Sequence, residues 1–129
     1  MTRVLVIDDE AYVRGAVSVA LKTGGLNVVA VESARKGLGE LDKTSFDLVI
    51  VDIYMPEMDG VQFIKALRQR RPNLPIIAMS GVLYSTTGRS ALDLLAMAPN
   101  MANIVSLQKP FRPSQLARAV QNAMAGVPA

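Results

Sequence analysis

Three aspartates, one serine and one lysine are the residues of this 129-residue chain best suited to chemistry, because it contains neither Cys nor His. Without Cys there is no disulfide framework, no zinc finger and no thiol nucleophile. Without His there is no Ser-His-Asp triad, no imidazole ligand and no histidine to carry a phosphoryl group. What remains is spaced in a pattern. Asp8 and Asp9, with Glu10 next, directly follow the apolar run Val4-Leu5-Val6-Ile7, and Asp52 directly follows Leu48-Val49-Ile50-Val51. Ser80 follows Ile76-Ile77-Ala78-Met79, and Lys109 comes just after Ile104-Val105-Ser106-Leu107. Two carboxylates ~4 Å apart repel by about 4 kcal/mol at an effective dielectric of about 20. If these acids converge, the cluster must therefore titrate or hold a cation. Hard oxygen donors without His or Cys select Mg²⁺, Mn²⁺ or Ca²⁺. With only two or three acids, the other positions fall to water, a main-chain carbonyl and a substrate phosphate, as is usual for Mg²⁺.

Whether they converge depends on the elements that carry them. Five short apolar runs rich in β-branched residues (the four above and Val28-Val29-Ala30-Val31) read as strands buried on both faces of a parallel sheet. The segments between them predict helices over 10–22, 33–42, 60–71, 87–98 and 113–125. Gly24-Gly25 stops the first, Ser33 caps the second, Pro72 and Pro99 end the next two, and Pro113 opens the last. Gly37 and Gly39 each weaken the second helix by about 1 kcal/mol relative to Ala. The chain thus predicts one α/β domain over 1–129, (βα) five times over. It is doubly wound as a three-layer sandwich around a five-stranded parallel sheet of order 2-1-3-4-5. In that order the direction reverses between strands 1 and 3, and ligands sit there, beyond the carboxyl ends of the strands. Strands 1, 3, 4 and 5 bring acids, Ser80 and Lys109 to that one edge; Glu32, after the outer strand 2, is expected to have no role.

A cation, an ammonium group and a hydroxyl around one central carboxylate form a clamp for a phosphoryl group. Asp52, on the middle strand, is the candidate nucleophile and becomes an aspartyl phosphate. Singly, each residue has a plainer reading: Asp9 as a helix N-cap, Lys109 as a surface lysine, Ser80 as a turn residue. At one edge of one sheet the joint reading prevails.

The remaining composition narrows the partners. Net charge is +3, but the bases are scattered, and the densest run, Arg68-Gln69-Arg70-Arg71, reads as a solvated helix end complementing the helix dipole. Only 5% of residues are aromatic, which disfavours base stacking, so no nucleic-acid partner is expected. No apolar run approaches the ~20 residues of a membrane helix, and the N-terminus lacks a signal-peptide core. The expectation is a soluble, cytoplasmic protein.

The sequence resembles the receiver domain of two-component response regulators from Arg3 to about Gly126. The likeness is carried by Asp8-Asp9-Glu10, by the stretch from Asp52 through Tyr54 and Pro56 to Asp59-Gly60, by Ser80-Gly81, and by Lys109-Pro110-Phe111. That resemblance implies a flavodoxin-like fold in which Asp52 accepts the phosphoryl group. Asp8, Asp9, Asp52 and the main-chain carbonyl of Tyr54 would hold Mg²⁺ (or Mn²⁺), Ser80 would turn toward the phosphoryl group, and Lys109 would pair with it. Pro110 would follow a cis peptide bond. The donor would be a sensor histidine kinase or a histidine phosphotransfer protein. The protein would not be an enzyme beyond its own phosphorylation and dephosphorylation.

The sequence departs from the family at three places. Ser106 stands three before the lysine, where an aromatic is usual, and Tyr84 is the nearest substitute. The stretch from Ser80 to Lys109 exceeds the norm by roughly two helical turns. Arg112 stands where a capping Asp is common, costing the last helix about 1 kcal/mol. The predicted helix 87–98 has little polar face. It is either packed more deeply or forms a docking or homodimer surface with the fifth strand and the closing helix, where a downstream protein would bind. The reading is a stand-alone receiver with no output module. Its rivals are a receiver fragment of a larger DNA-binding regulator and a Mg²⁺-dependent aspartyl phosphatase. The phosphatase would want a second carboxylate two residues after Asp52, where Tyr54 stands.

Overall fold

A computed structural model describes residues 2–53, 60–80 and 103–126. Five parallel strands form one sheet in the order β2-β1-β3-β4-β5, as the alternation of runs predicts. They are β1 (Arg3–Ile7), β2 (Asn27–Val31), β3 (Leu48–Asp52), β4 (Ile76–Ser80) and β5 (Ile104–Gln108). Between and after them run α1 (Ala11–Thr23), α2 (Ala34–Lys43), α3 (Gly60–Arg70) and the closing helix α4 (Pro113–Ala125). The predicted helix 87–98, Tyr84 and the segment Tyr54 to Asp59 lie outside the described residues.

Every residue of β3 and β4 is buried, which explains their unbroken apolar runs. The period of two sorts these residues onto two faces. Leu5, Ile7, Val49, Val51, Ile76 and Ala78 pack against Ala34 and Leu41 of α2 and Phe63, Ile64 and Leu67 of α3. On the other face, Val4, Val6, Leu48, Ile50, Ile77 and Met79 pack against Val13, Val17 and Leu21 of α1 and Leu116, Ala119 and Ala123 of α4. Helices α1 and α4 thus cover one face and α2 and α3 the other, and the winding reverses between β1 and β3.

Three local expectations change on contact with the fold. Gly37 is not merely a weak helix residue. A Cβ there would press into the side chain of fully buried Ile7, 3.0 Å from its Cγ1, so the glycine lets α2 lie close to β1. At Gly39 the same Cβ would meet nothing, and only the propensity cost applies. The run at 68–71 is not uniformly solvated, because Arg68 is buried. Its Nη1 donates to the carbonyls of Arg71 (3.2 Å) and Leu74 (2.5 Å) and its Nη2 to that of Asn103 (3.3 Å), tying the α3–β4 turn to the start of β5. Burial pushes its guanidinium pKa down. Arg70 pairs with Asp42 of α2 at 2.9 Å. At the closing helix, Arg112 makes no side-chain cap, as expected, but Gln115 Oε1 accepts from the Arg112 N–H at 2.7 Å and partly compensates. Ser33 caps α2 as predicted, accepting from the Lys36 N–H at 3.2 Å.

Candidate functional site

Strand register places the acids before any side-chain contact is considered. Ile7 pairs with Val51, so Asp8 and Asp52 each stand one residue beyond that pair, level with one another on neighbouring strands. Asp52 pairs with Met79, Ser80 with Gln108, and Lys109 is the next residue along. Alternation also sets direction. Asp8, Asp52 and Lys109 have the parity of Val6, Ile50 and Leu107, so all three side chains leave the sheet on the α1/α4 face.

The side chains meet there. Lys109 Nζ lies 2.7 Å from Asp8 Oδ2, 3.1 Å from Asp52 Oδ2 and 3.8 Å from Glu10 Oε1. Asp8 is fully buried and Asp52 is 4% exposed, whereas Asp9 is open to solvent and Glu10 partly so. Carboxylate oxygens of Asp8, Asp9, Glu10 and Asp52 lie within 4.8 Å of one another. Burial is the largest single influence on the Lys109 ammonium and pulls its pKa down. The hydrogen bond to Asp8, the charges of Asp52 and Asp8 and the bond to Asp52 outweigh it and hold the pKa above the ordinary 10.5. Asp8 is anchored on every side. Its N–H donates to Val31 O (3.2 Å), its Oδ1 accepts from the Glu10 N–H (2.9 Å), and its carbonyl accepts from Arg14 Nη1 (2.7 Å).

Asp9 is not a helix N-cap. That position belongs to Glu10, which makes no side-chain cap bond, and Asp9 precedes the helix with its side chain exposed to solvent. Ser80 is buried and has the parity of Ile76 and Ala78, the opposite face. Its carbonyl accepts from the Lys109 N–H at 2.6 Å, so main chain joins the two strand ends. Ser106 shares that parity and is exposed on the edge strand. The Lys109–Pro110 peptide is cis. Glu32 pairs with Lys36 and stands outside the cluster. The carbonyl of Tyr54 lies outside the described residues. Two participants were missed by sequence reasoning. Glu10 joins the acids as the third residue of their run, and Arg14, one helical turn after Glu10, holds the Asp8 carbonyl.

A cluster of four carboxylates against one ammonium carries excess negative charge, and its donors are all hard oxygens. Two of the acids are open to water that can complete a coordination shell. The residues fit Mg²⁺ or Mn²⁺.

The chain matches the response regulator receiver domain family over residues 4–121. Among curated proteins it is 38% identical to the response regulator protein FleR of Pseudomonas aeruginosa over 109 residues, 84% of this chain and 22% of that protein. It is 28% identical to the transcriptional regulatory protein FixJ of Bradyrhizobium diazoefficiens over 121 residues, 94% of this chain and 56% of that protein. The chain thus spans between about a fifth and just over half of these relatives. Among solved structures, the chemotaxis protein CheY4 of Vibrio cholerae superposes with a TM-score of 0.82 at 29% identity, covering 95% of this chain and 98% of that one. A response regulator receiver domain protein from Clostridium thermocellum gives 0.83 at 26%, covering 97% and 95%.

Proposed function

The chain belongs to the response regulator receiver domain family, and from that premise we propose that Asp52 accepts a phosphoryl group from a phosphohistidine on a separate kinase or phosphotransfer protein. One observation carries the reading: a nearly buried carboxylate at the end of the central strand has an ammonium 3.1 Å away and three further carboxylates around it. An ammonium on Oδ2 fixes the direction of the Asp52 carboxylate, which suits a nucleophile that must meet phosphorus in line.

In the transfer, an Asp52 carboxylate oxygen forms a bond to phosphorus as the donor's P–N bond breaks, and the electron pair leaves on the imidazole nitrogen. Lys109, already shared between Asp52 and Asp8, moves its charge onto the incoming phosphoryl oxygens. Asp8, Asp9 and Asp52 would hold the divalent cation, with Glu10 beside them and, from the resemblance, the Tyr54 carbonyl. When bound, the cation would supply positive charge to neutralise the phosphoryl group. From the resemblance, Ser80, whose side chain starts on the opposite face, is the hydroxyl that would turn to the phosphoryl group. This chemistry modifies only the chain itself, so the protein is a switch and not a turnover enzyme.

We further propose that it acts as a single receiver domain through protein contacts in the cytoplasm. The size of its curated relatives favours a second reading, the receiver portion of a longer transcriptional regulator. An immunoblot of native cells separates the two, by a product of 129 residues or a much larger one.

For the phosphorylation itself, incubation with a small phosphodonor and Mg²⁺ should add one phosphoryl group to the intact mass. Asp52→Asn or EDTA should abolish the addition. Labelling elsewhere, or labelling indifferent to EDTA, would overturn the assignment.

A further inference from the structure

We infer that Arg14 is a positioning residue for the divalent-cation site, holding the main chain from which the exposed Asp9 carboxylate extends. The inference rests on the reading of Asp9 as a cation ligand given above. Among the described residues no side chain donates to the Asp9 carboxylate, which is open to solvent. The position and heading of its Cα–Cβ bond are therefore set by its backbone alone. Each peptide unit is a rigid plane, so a residue has only φ and ψ to orient it between the two planes it joins.

Both planes flanking Asp9 are pinned. The unit between Asp8 and Asp9 is held at its carbonyl by Arg14 Nη1 at 2.7 Å, and the unit between Asp9 and Glu10 at its N–H by Asp8 Oδ1 at 2.9 Å. Asp8 in turn is locked into the sheet by its N–H bond to Val31 O and by Lys109. Only the Asp9 side-chain torsions stay free.

Arg14 is suited to this by its place. Its own N–H donates to Glu10 O at 3.1 Å in the first turn of α1. A helical side chain leans back toward the N-terminus, which brings the guanidinium over the strand end. Past Ile7 the β1–β2 register ends, and the Asp8 carbonyl, on the β2 side like its N–H, takes a charged, forked donor in place of a strand partner. The same charge reaches Glu32 at the end of β2, where it adds a minor contribution to lowering the carboxyl pKa.

The test is Mn²⁺ affinity, read by the electron paramagnetic resonance of free Mn²⁺, in wild type, Arg14→Gln and Arg14→Met. Phosphorylation by a small phosphodonor is followed in parallel across Mg²⁺ concentrations. Partners behind a metal ligand typically contribute 10–100-fold, and one backbone contact belongs at the lower end, so about tenfold weaker binding is expected. The Mg²⁺ concentration for half-maximal labelling should rise by the same factor, while the rate at saturating Mg²⁺ and the melting temperature hold. Affinity within about twofold of wild type in both variants overturns the inference, as does a loss confined to the saturated rate or matched by a fall in melting temperature. Failure of wild type itself to bind Mn²⁺ would instead overturn the proposed cation site. Arg14→Met keeps the aliphatic stem and decides the matter should the glutamine variant fold poorly.

Discussion

Replacing Lys109 by methionine removes the ammonium that separates two buried carboxylates, and the structure sets the scale of the loss. At 2.7 and 3.1 Å from Asp8 and Asp52, a unit charge gains on the order of 6 and 5 kcal/mol at an effective dielectric of about 20. Desolvation of all three ions consumes much of that gross attraction. Removing one partner of a buried pair, and so leaving uncompensated charge inside, costs about 3–5 kcal/mol. For a chain of this length that corresponds to a fall in Tm of roughly 10–20 °C. The assay is thermal unfolding followed by circular dichroism in EDTA and again in Mg²⁺. A cation that binds only the folded chain, at about 100 times its Kd, adds about 2.7 kcal/mol. Because the variant's site has one positive charge fewer, Mg²⁺ should raise its Tm by more than it raises that of wild type. A loss below about 1 kcal/mol in EDTA, the value of a surface pair, would refute the reasoning. So would a Mg²⁺-induced gain no larger in the variant.

Two further outcomes follow from the packing of α2 and the ion pairs of Lys109. Gly39→Ala should stabilise the protein by up to about 1 kcal/mol through helix propensity. Gly37→Ala should destabilise it by about 1–3 kcal/mol, because the new methyl overpacks against Ile7; urea unfolding of both reads the contrast, and equal effects would argue against the close α2–β1 approach. In pH, the folded-state pKa of Lys109 lies above its ordinary value of 10.5, so the stability from its ion pairs is complete below that pH. It is lost as pH rises through the folded pKa, and the gap in urea midpoint between wild type and Lys109→Met should narrow above about pH 10.5.

The apolar runs at Val4 and Leu48 announced their strands because a period of two, or none, is a local signal. The stop at Gly24-Gly25, the cap at Ser33 and Pro113 at the start of α4 are equally local. The strand order is one common solution for five βα units in a doubly wound sheet, and with it comes the convergence of Asp8, Asp9, Asp52 and Lys109 on one edge. Even the shared direction of Asp8, Asp52 and Lys109 is present in the parity of their positions.

Other features were set only when the elements packed. Gly37 and Gly39 sit two apart in one helix and look alike in sequence, yet only Gly37 faces Ile7 across the α2–β1 contact. Arg68 looks like its neighbours at 70 and 71, and its burial depends on carbonyls that the α3–β4 turn and Asn103 bring beneath it. Glu10 and Arg14 stand close in sequence to the acids, but one joins the cluster and the other grips the Asp8 carbonyl because α1 leaves the strand end at a particular angle. Residue type and spacing select which groups reach an edge. A contact such as the 2.7 Å between Asp8 and Lys109, far apart in sequence, is decided by register, twist and the packing of helix on sheet, and no short stretch of chain encodes those alone.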